Sequence, residues 1–393
     1  ETLWAEYKYG KDAGDDQNFG DMQGYLGSNS AKKDLVRFYY NDKEDVFDAV
    51  SYNKGGRILH MLRNYIGDSA FFKALNVYLT SNKFKSAEAH QLRLAFEEVT
   101  GRDLNWYWNQ WYFGGGHPTL DINYSYDDAS KKIRVTVNQN QSGDKIFKLP
   151  VAIDIYNGAN KTRYNVWAKN KADTFYFNAD KKPDLVNFDG DKILLCTKKE
   201  NKTLGEYIHQ YKYAGSYLDR REAIDFASKK QDDPKAVEFL KTALKDKYDG
   251  LRNFTINRLD FKKDKIKEAA EPVLLDLAKN DSKRLVKANA IEKLGEFQNP
   301  AYAALFRMAI NDSSYTVAGN ALEALAEIDS IAALNEAKRL AKENTKGALA
   351  DAITTVMIAS GDESSADMIL SSFEKMPLSQ RKFTLVQSIA SFL

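Results

Sequence analysis

Residues 51–67 read Ser51-Tyr52-Asn53-Lys54-Gly55-Gly56-Arg57-Ile58-Leu59-His60-Met61-Leu62-Arg63-Asn64-Tyr65-Ile66-Gly67. Ile58, Leu59, Leu62, Tyr65 and Ile66 recur at helical spacing, and Gly67 followed by Asp68 is a common way to end one helix and begin another. The stretch reads as a helix with one buried face. Its first turn holds two adjacent glycines, each costing about 1 kcal/mol relative to alanine in a helix interior. Propensity would not select them, so a packing reason is expected: a backbone or a substrate that comes close. Tyr52, three residues before Gly55, projects from the same end.

More helices flank it. Phe72, Leu75 and Leu79 predict one over about residues 69–79, and Leu92, Phe96 and Val99 predict another that starts from Ser86 as N-cap and stops at Gly101. Asp103 can cap a fourth, carrying Trp106, Tyr107, Trp108, Trp111, Tyr112 and Phe113. Rings at helical spacing are more often core than a binding platform, and the core reading is adopted. The glycines at 114–116 with Pro118 then break the helix and mark a boundary. Upstream, Leu3, Trp4 and Tyr7 form a short apolar stripe ended by Gly10, and Phe19, Met22, Tyr25 and Leu26 offer a second. Residues 35–40 read as either a strand or an extended loop leading to Asp48.

Beyond Thr119 the period becomes alternating, as in Leu120-Asp-Ile122-Asn-Tyr124-Ser-Tyr126 and Ile133-Arg-Val135-Thr-Val137. Further runs at 149–156, 163–168, 174–177, 185–188 and 193–197, separated by turn residues, make seven short strands and predict an immunoglobulin-like β-sandwich. After about Glu200 helical periodicity returns with a repeat. Asn280-Asp281-Ser282, Val286, Asn289-Ala290 and Leu294 recur as Asn311-Asp312-Ser313, Val317, Asn320-Ala321 and Leu325, and Leu251, Ile256 and Leu259 form a looser upstream copy. Stacked helix pairs of the HEAT or armadillo type leave this mark. The expected division is 1–117 helical, 118–199 sandwich and 200–393 solenoid, a multidomain α+β chain.

Composition excludes some functions. Lys and Arg number 57 against 55 Asp and Glu, so no strong field points to nucleic acid or an anionic membrane. No run of about 18 apolar residues exists, so no membrane span is expected. A single cysteine, Cys196, excludes an intrachain disulfide; within Ile193-Leu194-Leu195-Cys196 it reads as a buried, inert thiol.

Four blocks, in order and spacing, resemble the M1 zinc aminopeptidases: Tyr52-x-Lys54-Gly55-Gly56 with its Leu-rich helix, Gly67-Asp68-x-Ala70-Phe71-Phe72-x-x-Leu75, Glu97-Glu98-Val99-Thr100-Gly101-Arg102-Asp103-Leu104, and Trp111 followed by Gly114-Gly115-Gly116-His117-Pro118. The resemblance implies the helical part of a thermolysin-like catalytic domain, then a β-sandwich, then a helical C-terminal domain covering the active-site mouth. A zinc aminopeptidase needs His-Glu-x-x-His and a further Glu. The four histidines, His60, His90, His117 and His209, are too far apart in sequence to form that motif. In the family the zinc motif lies upstream of the Tyr52 block. The chain opens on Glu1-Thr2-Leu3-Trp4 as if within a helix, so the expectation is a fragment whose zinc ligands and missing N-terminal half precede Glu1, inactive alone and binding no zinc itself.

The same resemblance implies that Tyr52 is catalytic. In the family this tyrosine donates to the carbonyl oxygen on which charge builds during peptide hydrolysis; a phenol, with an ordinary pKa near about 10, stays protonated at neutral pH for the task. Asn53 departs from the commoner Glu at that place. Read by residue type, His60 is core or surface, His117 has a turn or packing role, and Lys54 is either a surface charge or a brace for the Tyr52 turn. The expected activity is removal of N-terminal residues from peptides. The alternative is a non-catalytic solenoid and sandwich that binds protein partners.

Overall fold

Helical periodicity becomes helix through the first hundred residues of the computed structural model, which describes every residue except 362, 377 and 393. The first helices are α1 (Thr2–Tyr9), α2 (Lys11–Leu26), α3 (Gly55–Ile66), α4 (Asp68–Ser81), α5 (Ala89–Thr100) and α6 (Asn105–Trp111). Gly67, at φ 86°, makes the break between α3 and α4 in a left-handed region that favours glycine. The expected cap at Ser86 is corrected: α5 begins at Ala89, with the Gln91 side chain accepting from the Glu88 amide. Asp103 does take the Asn105 amide, at 2.8 Å. Residues 35–40 form an extended loop rather than a strand, fixed where the Val36 amide donates to Tyr112 O at 2.9 Å.

The sandwich strands are β1 (Thr119–Asp127), β2 (Lys132–Gln139), β3 (Leu149–Asn157), β4 (Asn160–Ala168), β5 (Ala172–Asn178), β6 (Leu185–Phe188) and β7 (Thr197–Glu200). They form one sheet ordered β5-β2-β1-β7 and a second ordered β4-β3-β6. The alternation sets the register: Ile122 faces Val137 and Tyr124 faces Val135 across β1 and β2.

The seventh strand is displaced from its expected place at 193–197. The apolar run of Ile193 to Cys196 is buried but not laddered, because its backbone groups find other partners. Asp189 accepts from the amides of Ile193 and Leu194 at 3.1 and 3.0 Å, and Arg57 donates to the carbonyls of Lys192 and Leu194 at 2.9 and 3.2 Å. Buried backbone must be paired, and these pairs replace a ladder. Cys196 is buried there, its thiol pushed up to about 12 by burial, which leaves little thiolate for reaction.

The chain divides into two compact units, Glu1–Phe226 and Ala227–Leu393. In the first, helices and sandwich share one core: Leu62, Phe96, Trp108 and Trp111 belong to the same apolar cluster as Ile122, Val135 and Ile153. The aromatic helix α6 is core, as expected, with Tyr107, Trp108 and Trp111 buried. The stripe of Leu3, Trp4 and Tyr7 lies on α1 and is exposed. Helices α7 (Leu204–His209) and α8 (Tyr217–Ser228) follow the sandwich.

The second unit continues with α9 (Pro234–Ala243), α10 (Asp249–Arg258), α11 (Asp264–Asn280), α12 (Arg284–Glu296), α13 (Ala303–Ala309), α14 (Tyr315–Ala326), α15 (Ser330–Leu340), α16 (Gly347–Ser360), α17 (Ala366–Lys375) and α18 (Gln380–Phe392). The sequence repeat falls on α12 and α14, whose Val286, Ala290 and Leu294 and their counterparts Val317, Ala321 and Leu325 are all buried. Each helix pair hides its apolar stripe against the next. Close approach is built in at Gly319, where an added Cβ would lie 2.6 Å from Ala348 O and 2.7 Å from its carbonyl carbon. Gly319→Ala is therefore expected to cost about 1–3 kcal/mol by overpacking, despite alanine's better propensity. A lower urea midpoint of the helical circular-dichroism signal checks this, and an unchanged midpoint contradicts the contact.

Candidate active site

Residues Val50–Lys54, immediately before α3, wind as one turn of π-helix, a wider coil that is frequent at functional positions. The turn is pinned at both ends. At the first, the Asp48 carboxylate accepts the amides of Val50 and Ser51, each at 3.0 Å, which satisfies donors that a helix start leaves open. Arg37 grips the same carboxylate through both terminal nitrogens at 2.6 and 3.1 Å, and donates to Ser51 Oγ at 2.8 Å. Lys33 adds a contact at 3.2 Å. Burial pushes the Asp48 carboxyl up, but the hydrogen bonds from Arg37, the Ser51 amide and Lys33 outweigh it and hold the group well below the usual carboxylate range.

At the second end, Lys54 is fully buried. Its Nζ donates to Gly114 O at 3.2 Å and lies 5.7 Å from the centre of the Tyr25 ring. Lys54 is thus a brace rather than a surface charge. Lys145 joins the same glycine turn, donating to Gln110 O at 2.9 Å and Gly115 O at 2.6 Å. Gly115 is needed there, since a Cβ would come within 2.9 Å of Lys32 O. His117 contacts the Tyr25 hydroxyl through Nδ1 at 3.3 Å, a packing role at this turn.

Burial, with Lys145 nearby, pushes the Lys54 ammonium down to about 8 from 10.5, while Asp34 works the other way. In that window the unfolded chain keeps a proton the folded chain has lost, so folding gains stability as pH rises from about 8 towards 10.5. Wild type is accordingly expected to gain stability relative to Lys54→Met between pH 7 and pH 10. Urea unfolding of the two proteins, followed by tryptophan fluorescence, checks the sign.

Between these anchors stands Tyr52. Its side chain is 62% exposed, its ring lies 5.8 Å from that of Phe47, and its hydroxyl has no hydrogen-bond partner among the described residues. Behind it, Asn53 Nδ2 donates to Asp21 Oδ1 at 3.3 Å, and Arg57 Nη1 donates to Asn18 Oδ1 at 2.7 Å, so the turn sits against α2. The paired glycines are only partly explained by the chain's own atoms. A Cβ at Gly55 would make ordinary contact with Leu35 at 3.5 Å, and one at Gly56 would meet nothing within 4 Å.

The M1 resemblance implies zinc, and the residues present do not fit it. His90 stacks on Phe113 at 4.9 Å, His209 Nε2 contacts Gly158 O at 2.9 Å, and His60 is pushed down to about 3, chiefly by burial and then by Arg57. Among the described residues no group of three or more His, Cys, Asp or Glu side chains could hold a metal ion. No helix among them is long and apolar enough to cross a membrane. Sequence reading missed Arg37 and Asp48. The available signal was a capping letter, Asp, two residues before the turn.

Residues 28–111 match the Peptidase family M1 domain, and 271–357 match HEAT repeats. The chain is M1 aminopeptidase-like. The chain aligns with a probable aminopeptidase 1 of Sulfurisphaera tokodaii, 29% identical over 119 residues, which are 30% of this chain and 15% of that protein. It aligns with aminopeptidase N of Haemophilus influenzae, 26% identical over 155 residues, 38% of this chain and 18% of that one. Tricorn protease-interacting factor F2 of Thermoplasma volcanium is 31% identical over 112 residues, 28% and 14% of the two chains. The crystal structure of Legionella pneumophila aminopeptidase A with aspartic acid superposes on all of this chain with a TM-score of 0.64 at 14% identity, a likeness of fold. The chain spans about half of that structure, 52%, and smaller shares of the curated relatives.

Proposed function

We propose that this chain is the C-terminal portion of a zinc aminopeptidase that hydrolyses N-terminal residues from peptides, and that Tyr52 is its catalytic donor to the carbonyl oxygen. The observation that carries the reading is the Tyr52 hydroxyl, exposed and free of protein partners among the described residues on a turn pinned from both sides. A donor held in place before reaction is worth about 2.7–4 kcal/mol of barrier when charge develops on the oxygen it faces. The phenol donates a hydrogen bond and keeps its proton, so it stabilises charge on the carbonyl oxygen without transferring a proton.

The zinc that M1 peptidases use would be held by residues outside this chain, in the missing N-terminal half of the same protein. Support for such a docked half is the apolar surface left open near Tyr52 in sequence: Phe38, Tyr39, Tyr40 and Phe47 are exposed, as are Trp4 and Tyr7 on α1. Gly56, with nothing near its open face, leaves the close approach that two glycines imply to a group of that half or to substrate. Zinc content and hydrolysis of aminoacyl amides, measured on the full-length protein and on this chain alone, test the proposal. Zinc and turnover in the first and neither in the second are expected; a full-length protein without both is a binding scaffold instead.

A further inference from the structure

We infer that Asp48, clamped by Arg37, is the positioning residue that sets the direction of the Tyr52 side chain; the inference rests on Tyr52 being the carbonyl donor proposed above. Tyr52 is mostly exposed, its ring lies beside that of Phe47, and its hydroxyl has no hydrogen-bond partner among the described residues, so no bond to the hydroxyl there fixes where it points. The backbone that carries it must do so. A π-turn has no intrinsic preference over an ordinary helical turn, and this one is wound by groups that converge on Asp48. Its carboxylate takes the amides of Val50 and Ser51, and its own carbonyl takes the amide of Tyr52 at 3.1 Å. Arg37 locks the carboxylate with a two-pronged contact while its Nη2 reaches Ser51 Oγ, the side chain next to Tyr52. The low carboxyl pKa keeps this arrangement charged through the neutral range.

Displacing a donor by about 1 Å can cost on the order of a hundredfold in rate, so a loosened turn acts on kcat through Tyr52. Two measurements test this. In this chain, hydrogen exchange over residues 50–54 is compared for wild type, Asp48→Ala and Asp48→Asn. In the full-length protein, aminoacyl amide hydrolysis is measured for the same variants and in a Tyr52→Phe background. Asp48→Ala is expected to raise exchange in the turn, and to lower kcat about tenfold or more with KM changed less than about twofold. Asp48→Asn, which still offers a capping oxygen to the Val50 and Ser51 amides but loses the two-pronged Arg37 contact, is expected to recover part of the protection and part of kcat. Asp48→Ala should add nothing to Tyr52→Phe, because both act through one hydroxyl.

Unchanged protection in Asp48→Ala overturns the inference whatever the kinetics, and so does a further loss of kcat on top of Tyr52→Phe. An Asp48→Asn protein as loose and slow as Asp48→Ala overturns the capping route. If Asp48→Ala loosens the turn but Tyr52→Phe turns over normally, the donor role of Tyr52 is what fails, and Asp48 with Arg37 remains the anchor of the turn.

Discussion

Tyr52→Phe in the full-length protein is expected to lower kcat for aminoacyl amides by at least about a hundredfold, with KM little changed. The substitution removes one oxygen and leaves the ring. Because that oxygen bonds to nothing among the described residues and the side chain is mostly exposed, folding should be unaffected. The interaction lost is one made as the carbonyl oxygen gains charge, so it appears in kcat rather than in substrate binding. Steady-state kinetics with an aminoacyl amide, beside a urea unfolding curve, separate the two quantities. Normal turnover in the variant would remove Tyr52 from the chemistry.

The largest stability loss is expected at Arg57, the residue after the paired glycines. It is 3% exposed, and its guanidinium bonds three acceptors in two other parts of the first unit: Asn18 on α2, and the carbonyls of Lys192 and Leu194 beyond β6. Burial pushes this guanidinium down, with Asp189 working against it, and it remains the donor for all three acceptors. Arg57→Ala strands Asn18 Oδ1 and two carbonyls without donors and opens a void, for a loss of roughly 3 kcal/mol or more. Arg57→Lys should recover only part, since an ammonium lacks the planar fork that reaches acceptors on two sides. All five tryptophans, Trp4, Trp106, Trp108, Trp111 and Trp167, lie in the first unit. Tryptophan fluorescence during urea unfolding therefore reads this unit alone. A change below about 0.5 kcal/mol in Arg57→Ala, the level of ordinary surface substitutions, would contradict the assigned network.

Much of the fold was legible because its signals are short-range. Ile58, Leu62 and Phe96 announce buried helix faces through period, and Ile133, Val135 and Val137 announce a strand through alternation; all six are buried. The 31-residue repeat placed Val286 and Val317 at equivalent buried positions of α12 and α14. The misses share one cause. Ser86 looked like a cap but the helix starts three residues later, where Gln91 supplies a partner for the Glu88 amide. The Ile193 run has the letters of a strand, and its backbone is taken by Asp189 and Arg57 instead of a neighbouring strand.

For the candidate site, sequence alone determined that a tyrosine precedes a glycine-opened helix in a setting like that of M1 peptidases. Tertiary structure decided that this tyrosine is exposed, that Lys54 is an internal brace, and that Asp48 with Arg37 holds the turn. The physical reason is the nature of the acceptors. Lys54 reaches the carbonyl of Gly114, 60 residues away, and Arg57 reaches those of Lys192 and Leu194, 135 and 137 residues away. Every residue carries the same carbonyl oxygen, so no letter marks which one will be used, and only the folded path of the chain brings donor and acceptor together.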